Sequence, residues 1–233
     1  MKLYSYYRSS AAYRVRIVLN LKQIEHTIAP VNLLKKEHKS ADYLSKQPQG
    51  LVPCLETDEG QHLAQSGAII SYLDHLYPSS KLLPPDPFEA AKIQSVVDII
   101  ACDIHPICNL RILSYLAEDL KVDSEQKLAW YQHWITLGFE ALETILETAL
   151  EATLEATLET TLETKLETML EKTKYCFGEQ VTLADVYLIP QVYNALRFEV
   201  DMSAFPQIMS AYQNCNQLDA FVKAKPENQL DVM

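Results

Sequence analysis

The stretch from 78 to 87, PSSKLLPPDP, puts four prolines into ten positions and decides how the rest of the chain can be organised. Proline removes a main-chain donor and its ring clashes with the preceding turn, so neither a helix nor a central strand can run through this stretch. Regular structure must therefore form separately on its two sides, and the sequence on those sides differs in kind. Residues 1–77 alternate short strand-like runs with helical periodicity, whereas 88–233 reads as one helix after another. The expected organisation is an α/β domain over 1–77, a linker over 78–87 and an all-α domain over 88–233.

Within the first part, Lys2–Tyr6, Ile24–Leu33, Leu51–Thr57 and His62–Ala64 read as strands. Ala12–Lys22 and Ser66–Leu76 carry helical periodicity, and 35–47 is a polar helix or loop. A β-α-β start followed by a β-β-α finish is compatible with a thioredoxin-like plan. Downstream, helices are expected over Phe88–Ile104, Pro106–Glu118, Ser124–Lys172, Leu183–Leu196 and Phe205–Asn216. Ser124 is the expected N-cap of the third, and Thr182 with Asp185 forms a capping box for the fourth.

The third helix contains a repeat, ALET ILET ALEA TLEA TLET TLET KLET MLEK, eight tetrapeptides over 141–172 with Leu second and Glu third. A period of four against 3.6 residues per turn rotates successive Leu by about 40°, so the row winds around the helix and cannot all face one core. The Glu residues stand at i,i+4, a like-charge ladder that costs a few tenths of a kcal/mol per pair. An expansion inside one helix accounts for the pattern, since Ala, Leu and Glu all favour helix; a partner-binding coiled coil is the functional alternative.

Residues 143–172 hold eight Glu against two Lys, a net of −6 within a chain whose net charge is −11. An acidic chain without a basic face does not suit nucleic acid. Hydrophobic content of 48% with 22% charged residues is that of a soluble globular protein. No apolar run long enough to span a membrane occurs, and the N-terminus has no apolar secretory core. The five cysteines are scattered, with no Cys-x-x-Cys pair and no metal implied, and read as reduced thiols of a cytoplasmic protein.

The segment SYYRSSAAYRVRI, residues 5–17, sets Ser9 and Ser10 where the first strand ends and the first helix begins. Free backbone N–H groups and the helix dipole favour an anion there. A serine so placed can cap the helix, act as a nucleophile, or donate a hydrogen bond to an anion brought by a ligand. Nucleophilic use needs a base, and no sequence pattern nominates one. Donation needs only the hydroxyls, backbone donors and positive charge from Arg8, Arg14 or Arg16.

This segment resembles the signature of the zeta-class glutathione transferases. The likeness continues through PVNLL (30–34), QPQGLVPCL (47–55), QSGAIISYL (65–73), DIHPICNLRIL (103–113), GFEALE (138–143), FGEQVTLADVYLIPQVYNALRF (177–198) and FPQI (205–208). It implies the two-domain fold of that family, with glutathione as cofactor, a small diacid as substrate and a homodimeric assembly. It also identifies the anion as the glutathione thiolate, with Ser9 donating to the sulfur and Ser10 in support. Members of the class often carry Cys where this chain has Ala11, so no role for a protein thiol is implied. The remaining cofactor contacts implied are Arg14, His38, Val52 beside a cis Pro53, Gln65 and Ser66, with His105, Asn109, Leu110 and Arg111 from the helical domain. Arg197 and Arg8 are the implied carboxylate clamps, because guanidinium matches a carboxylate with two parallel N–H groups. Arg14 and Arg16 also have a structural reading, pairing with acids across the domain interface.

The implied activity is conversion of maleylacetoacetate to fumarylacetoacetate, on the route of tyrosine and phenylalanine breakdown. Reversible thiolate addition turns the cis alkene into a single bond, and elimination after rotation restores it as trans. Two other readings stand beside it: a broader transferase acting on α-halo acids with the same sulfur, and a non-catalytic adaptor that uses the Leu-Glu repeat as its binding arm.

Overall fold

The computed structural model describes residues 1–160 and 174–232. In chain order its elements are β1 (Lys2–Ser5), α1 (Ser10–Leu21), β2 (Thr27–Pro30), α2 (Ala41–Lys46), β3 (Cys54–Glu56), β4 (His62–Ala64) and α3 (Ser66–Leu76). Then follow α4 (Pro87–Asp98), a π-helical turn (Ile99–Ile104), α5 (Leu110–Glu118), α6 (Ser124–Thr160), α7 (Leu183–Arg197), α8 (Pro206–Cys215) and α9 (Asp219–Ala224). Among the described residues, no helix is long and apolar enough to cross a membrane. The chain forms two compact units, one of Met1–Leu82 with Asn216–Met233 and the other of Leu83–Cys215.

The first unit is built on a sheet of order β2-β1-β3-β4. β1 runs parallel to β2, with Leu3 opposite Ile28, and antiparallel to β3, with Leu3 opposite Leu55. The strands at β2 and β3 are shorter than the apolar runs suggest. The bond from Val52 to Pro53 is cis, and β3 begins only after it. Val15, Val18 and Leu19 of α1 are fully buried, together with Leu3, Leu55, Ile69 and Leu73. Helix α1 is in fact buried nearly all round, because α9 packs on it and Asn20 Nδ2 donates to the Ala220 carbonyl at 2.9 Å. The last residues of the chain thus belong with the α/β unit, whereas the sequence division had kept them in the helical domain. A short helix at the C-terminus has no face of its own large enough to stand alone, and α1 supplies one.

In the second unit α7 is the central element, buried from Leu183 to Val192 despite Pro190 in its interior. Its expected capping box is present: the fully buried Asp185 accepts from Thr182 N at 2.7 Å and from Cys176 N at 2.9 Å. Burial pushes the Asp185 carboxyl up, and these N–H groups act in the opposite direction. Two expected helix starts shift. Asp123, rather than Ser124, caps α6, accepting from Gln126 N at 2.8 Å while Gln126 Oε1 accepts from Asp123 N. Asn109 caps α5, accepting from Arg111 N and Ile112 N, so that helix begins four residues after Pro106.

The described part of the repeat behaves as a winding row must. Leu142 and Leu146 are buried and Leu150 is half-buried. Glu143 is buried too, accepting from Gln207 N at 2.6 Å and Ile208 N at 3.0 Å at the start of α8. Glu147 and Glu151 are exposed. The expectation that α6 runs on to Lys172 falls beyond Thr160, outside the described residues. Glu143 therefore neutralises the positive end of α8, while Glu147 and Glu151 meet water. Glu143→Ala is expected to cost about 2–3 kcal/mol in urea unfolding by stranding two N–H groups, and Glu147→Ala to change stability by less than about 0.5 kcal/mol.

Candidate active site

The loop joining β1 to α1 is held by one guanidinium. Arg16, 1% exposed, donates from Nη1 to Ser5 Oγ (3.0 Å) and the Tyr6 carbonyl (3.5 Å), and from Nη2 to the Tyr7 carbonyl (3.0 Å). Its Nε donates to the Ala224 carbonyl of α9 at 3.0 Å, and its plane lies over the Tyr13 ring. The expected pairing of Arg16 with acids across a domain interface is thus replaced by main-chain carbonyls within its own unit. The geometric reason is that a planar fork serves several carbonyls at once where a chain turns back on itself. Arg14 is 2% exposed, so its guanidinium faces protein, which favours the structural one of its two expected roles.

On this loop Ser9 is the N-cap of α1. Its extended backbone (φ −72°, ψ 113°) lets Oγ accept from Ala12 N at 3.2 Å. Capping uses a lone pair of the hydroxyl and leaves its proton available to donate. The cap and the anion donor are therefore compatible duties of one side chain. Ser10, in the first helical position, is buried. Arg8 is exposed and lies over the Tyr7 ring at 5.0 Å, and it forms no ion pair among the described residues.

No protein thiol competes with a sulfur brought by a ligand at this loop. Burial pushes the Cys54 thiol up to about 11 and that of Cys108 to about 12, and raises Cys176 and Cys215 as well. Thiols so raised carry almost no thiolate at neutral pH. Cys102 is exposed, on the π-helical turn of the other unit.

The remaining candidates of the first unit lie at the start of α3 and on the loops near it. Gln65 precedes α3 at φ 69°, a left-handed conformation that costs a non-glycine residue about 1 kcal/mol or more. Its Nε2 donates to Gln49 Oε1 at 2.7 Å, and Ser66 is buried in the first helical position. Val52 is half-buried beside the buried Pro53. His38 sits on a short turn, with its carbonyl 2.7 Å from where a side chain on Gly50 (φ +60°) would begin. Burial lowers the His38 imidazole, and Lys39 and Lys36 act in the same sense.

The other expected residues lie in the second unit. His105 closes the π-helical turn, its N–H donating to the Ile100 carbonyl. The Asn109 side chain is occupied at both ends, capping α5 and donating to the Pro106 carbonyl at 2.7 Å. Leu110 and Arg111 are exposed on the first turn of α5. Arg197, the last residue of α7, lies over the Phe198 ring at 4.6 Å, and Phe198 stacks on the buried Tyr131 at 3.8 Å. Arg197 makes no ion pair among the described residues, although an ion pair is the commonest employment of a helical arginine. Like Arg8, it lies over an aromatic ring. Sequence reasoning did not find the part played by Ala224 and the C-terminal residues behind the serine loop, since nothing local marks contacts between residues over two hundred positions apart.

Family models describe both parts of the chain. The glutathione S-transferase N-terminal domain matches residues 3–81 and the glutathione S-transferase C-terminal domain matches 139–219. The maleylacetoacetate isomerase of Pseudomonas aeruginosa is 40% identical over 233 residues, covering 99% of this chain and 98% of that protein. Among solved structures, a holo maleylpyruvate isomerase, a bacterial zeta-class glutathione transferase, is 38% identical with a TM-score of 0.88, over the whole of both chains. A maleylacetoacetate isomerase from Methylobacterium extorquens, with bound malonate and glutathione, is 30% identical with a TM-score of 0.85, again over the whole of both.

Replacing Arg16 by Lys keeps the charge and loses the fork. A single ammonium cannot serve the carbonyls of Tyr6, Tyr7 and Ala224 together, so Arg16→Lys is expected to lower stability by about 3 kcal/mol in urea titration.

Proposed function

The chain belongs to the glutathione S-transferase family, and from that premise we propose that it is a glutathione-dependent cis–trans isomerase converting maleylacetoacetate to fumarylacetoacetate in tyrosine and phenylalanine catabolism. The observation that carries the reading is the Ser9 hydroxyl, capping α1 through its oxygen with a proton left to give, beside an arginine that has no carboxylate partner.

The residues present fit glutathione. A donor proton stands at the N-terminus of α1, and a second helix N-terminus is preceded by the strained Gln65. Strain held at a helix start is consistent with a ligand site. Ser9 and Ser10 would hold the sulfur end, Gln65 and Ser66 the γ-glutamyl carboxylate, and the Val52 backbone the peptide, with His38, Arg14, His105, Asn109, Leu110 and Arg111 as further candidates. When bound, glutathione supplies a thiolate that adds reversibly to an activated alkene.

The chain's own part is electrostatic. Ser9 donates to the sulfur and, with the N-terminal end of α1, favours its charged form. The nucleophile needs no protein base, because a donor that stabilises the anion suffices. Arg8 and Arg197 are the proposed partners of the diacid's carboxylates; each guanidinium lies over a ring, Tyr7 and Phe198, which limits the rotamer freedom lost on binding. The malonate held with glutathione by the Methylobacterium relative, itself a dicarboxylate, supports a diacid preference. The similarity to a maleylpyruvate isomerase supports a second reading, in which the diacid is the shorter maleylpyruvate. Family membership also supports a cytoplasmic homodimer.

Isomerisation of the cis diacid should proceed with glutathione in catalytic amount and no net loss of it, whereas conjugation of an α-halo acid would consume it mole for mole. Ser9→Ala is expected to lower kcat by about 10²–10³-fold with glutathione affinity retained, alongside a cap loss of about 1 kcal/mol. Unchanged turnover in that variant would assign the sulfur to Ser10 or to the backbone.

A further inference from the structure

The C-terminal segment reaches the serine loop at a second point besides Ala224. Asp231 Oδ2 accepts from the Tyr7 backbone N–H at 2.9 Å, across 224 residues of sequence and inside the first unit. The Tyr7 N–H and the Tyr6 carbonyl belong to one peptide plane. On the carbonyl side that plane accepts from Ser9 N at 2.9 Å and from Arg16 Nη1 at 3.5 Å. On the N–H side its partner is Asp231. A peptide held at one end can still swivel about its neighbouring dihedrals; held at both ends it cannot. The plane lies two residues before Ser9, so its orientation sets where Arg8 leaves the chain and where the Ser9 hydroxyl stands.

We propose that Asp231 is a positioning residue for Ser9 and Arg8, locking the Tyr6–Tyr7 peptide from the C-terminal segment. Two further features point to position rather than to stability or charge. The other carboxylate oxygen, Oδ1, is buried and has no hydrogen-bond partner among the described residues. A half-buried carboxylate with one oxygen buried and unused is a poor stabiliser, which leaves positioning as its part at this loop. Its negative charge, moreover, opposes an anion on the same loop, so any help it gives to a thiolate must come through geometry.

The inference rests on the glutathione reading above, and its test can fail separately from that reading. Asp231→Ala and Asp231→Asn are compared with the parent as full-length proteins. The Asn amide oxygen still accepts from the Tyr7 N–H, without the charge. Without any ligand, the Tyr7 and Ser9 amides should exchange hydrogen faster in the Ala variant and at the parental rate in the Asn variant. With glutathione alone, ultraviolet absorbance of the thiolate should show the bound thiol ionising about one pH unit higher in the Ala variant, with dissociation constants within about twofold. With alkene added, kcat should fall about tenfold in the Ala variant with KM for glutathione little changed, and the Asn variant should recover most of that loss. A chain that binds glutathione but isomerises nothing would overturn the proposed reaction while the exchange and ionisation arms still decide on Asp231. Parental exchange and ionisation in the Ala variant, or an Asn variant as impaired as the Ala one, would overturn the proposal. So would a loss tracked entirely by a lower melting temperature.

Discussion

The first unit depends on a guanidinium buried in a cage of carbonyls. Arg16 takes Ser5, Tyr6 and Tyr7 on one side and Ala224 on the other, and so ties the end of β1, the serine loop and the last helix to α1. A buried charge is costly unless its donors are met, and here the Ser5 hydroxyl and the carbonyls of Tyr6, Tyr7 and Ala224 meet them. The exchange works in both directions. The loop turns away from the β1 ladder, where its carbonyls would be orphaned, and the arginine makes that turn affordable. A shape that leaves Ser9 capping α1 with its proton free follows from this cage, since Ser9 N closes the turn onto the same Tyr6 carbonyl that Arg16 holds.

The chemistry asked of such a loop is modest. A site that brings its nucleophile with the cofactor needs neither a base nor a reactive thiol. Its buried cysteines are pushed away from ionisation by the core around them. In the reaction proposed above, what remains to the protein is to favour one charge state of a sulfur and to hold the carboxylates of a diacid. A hydroxyl at a helix start suits the first task. For the second, the proposed residues are Arg8, which lies over Tyr7, and Arg197, which lies over Phe198.

Much of this was legible in the sequence, and the parts that were not share a cause. The β-α-β periodicity and the Thr182–Asp185 box are local signals, and each is present in the structure. The strands at β2 and β3 came out shorter because an apolar run marks burial, whereas a ladder also needs a partner at the right register. Asp123 rather than Ser124 caps α6 because Gln126 can answer it from three residues on, which composition at one position does not reveal. The employment of Arg16 and the return of the C-terminal segment to the first unit were not readable, since their partners lie over two hundred residues away. The site residues brought by the resemblance, such as Asn109, illustrate a further limit: a motif gives a position, whereas only the fold shows that its amide is already occupied at both ends.

The repeat in α6 can be understood by the same separation of local from distant constraint. Its first two Leu and its first Glu have partners in the second unit, and Glu143 in particular meets the unsatisfied N–H groups of α8. Those contacts fix the rotation of α6 about its axis at that point. Each further tetrapeptide turns the Leu row by about 40° more, and Leu150 is already half-buried. Added units therefore change nothing upstream of the anchor, because helix geometry carries their rotation only toward the C-terminal end. An expansion that keeps helix propensity and begins after the last buried partner meets little resistance from packing. A repeat can then accumulate in a chain whose site-bearing elements stay in register.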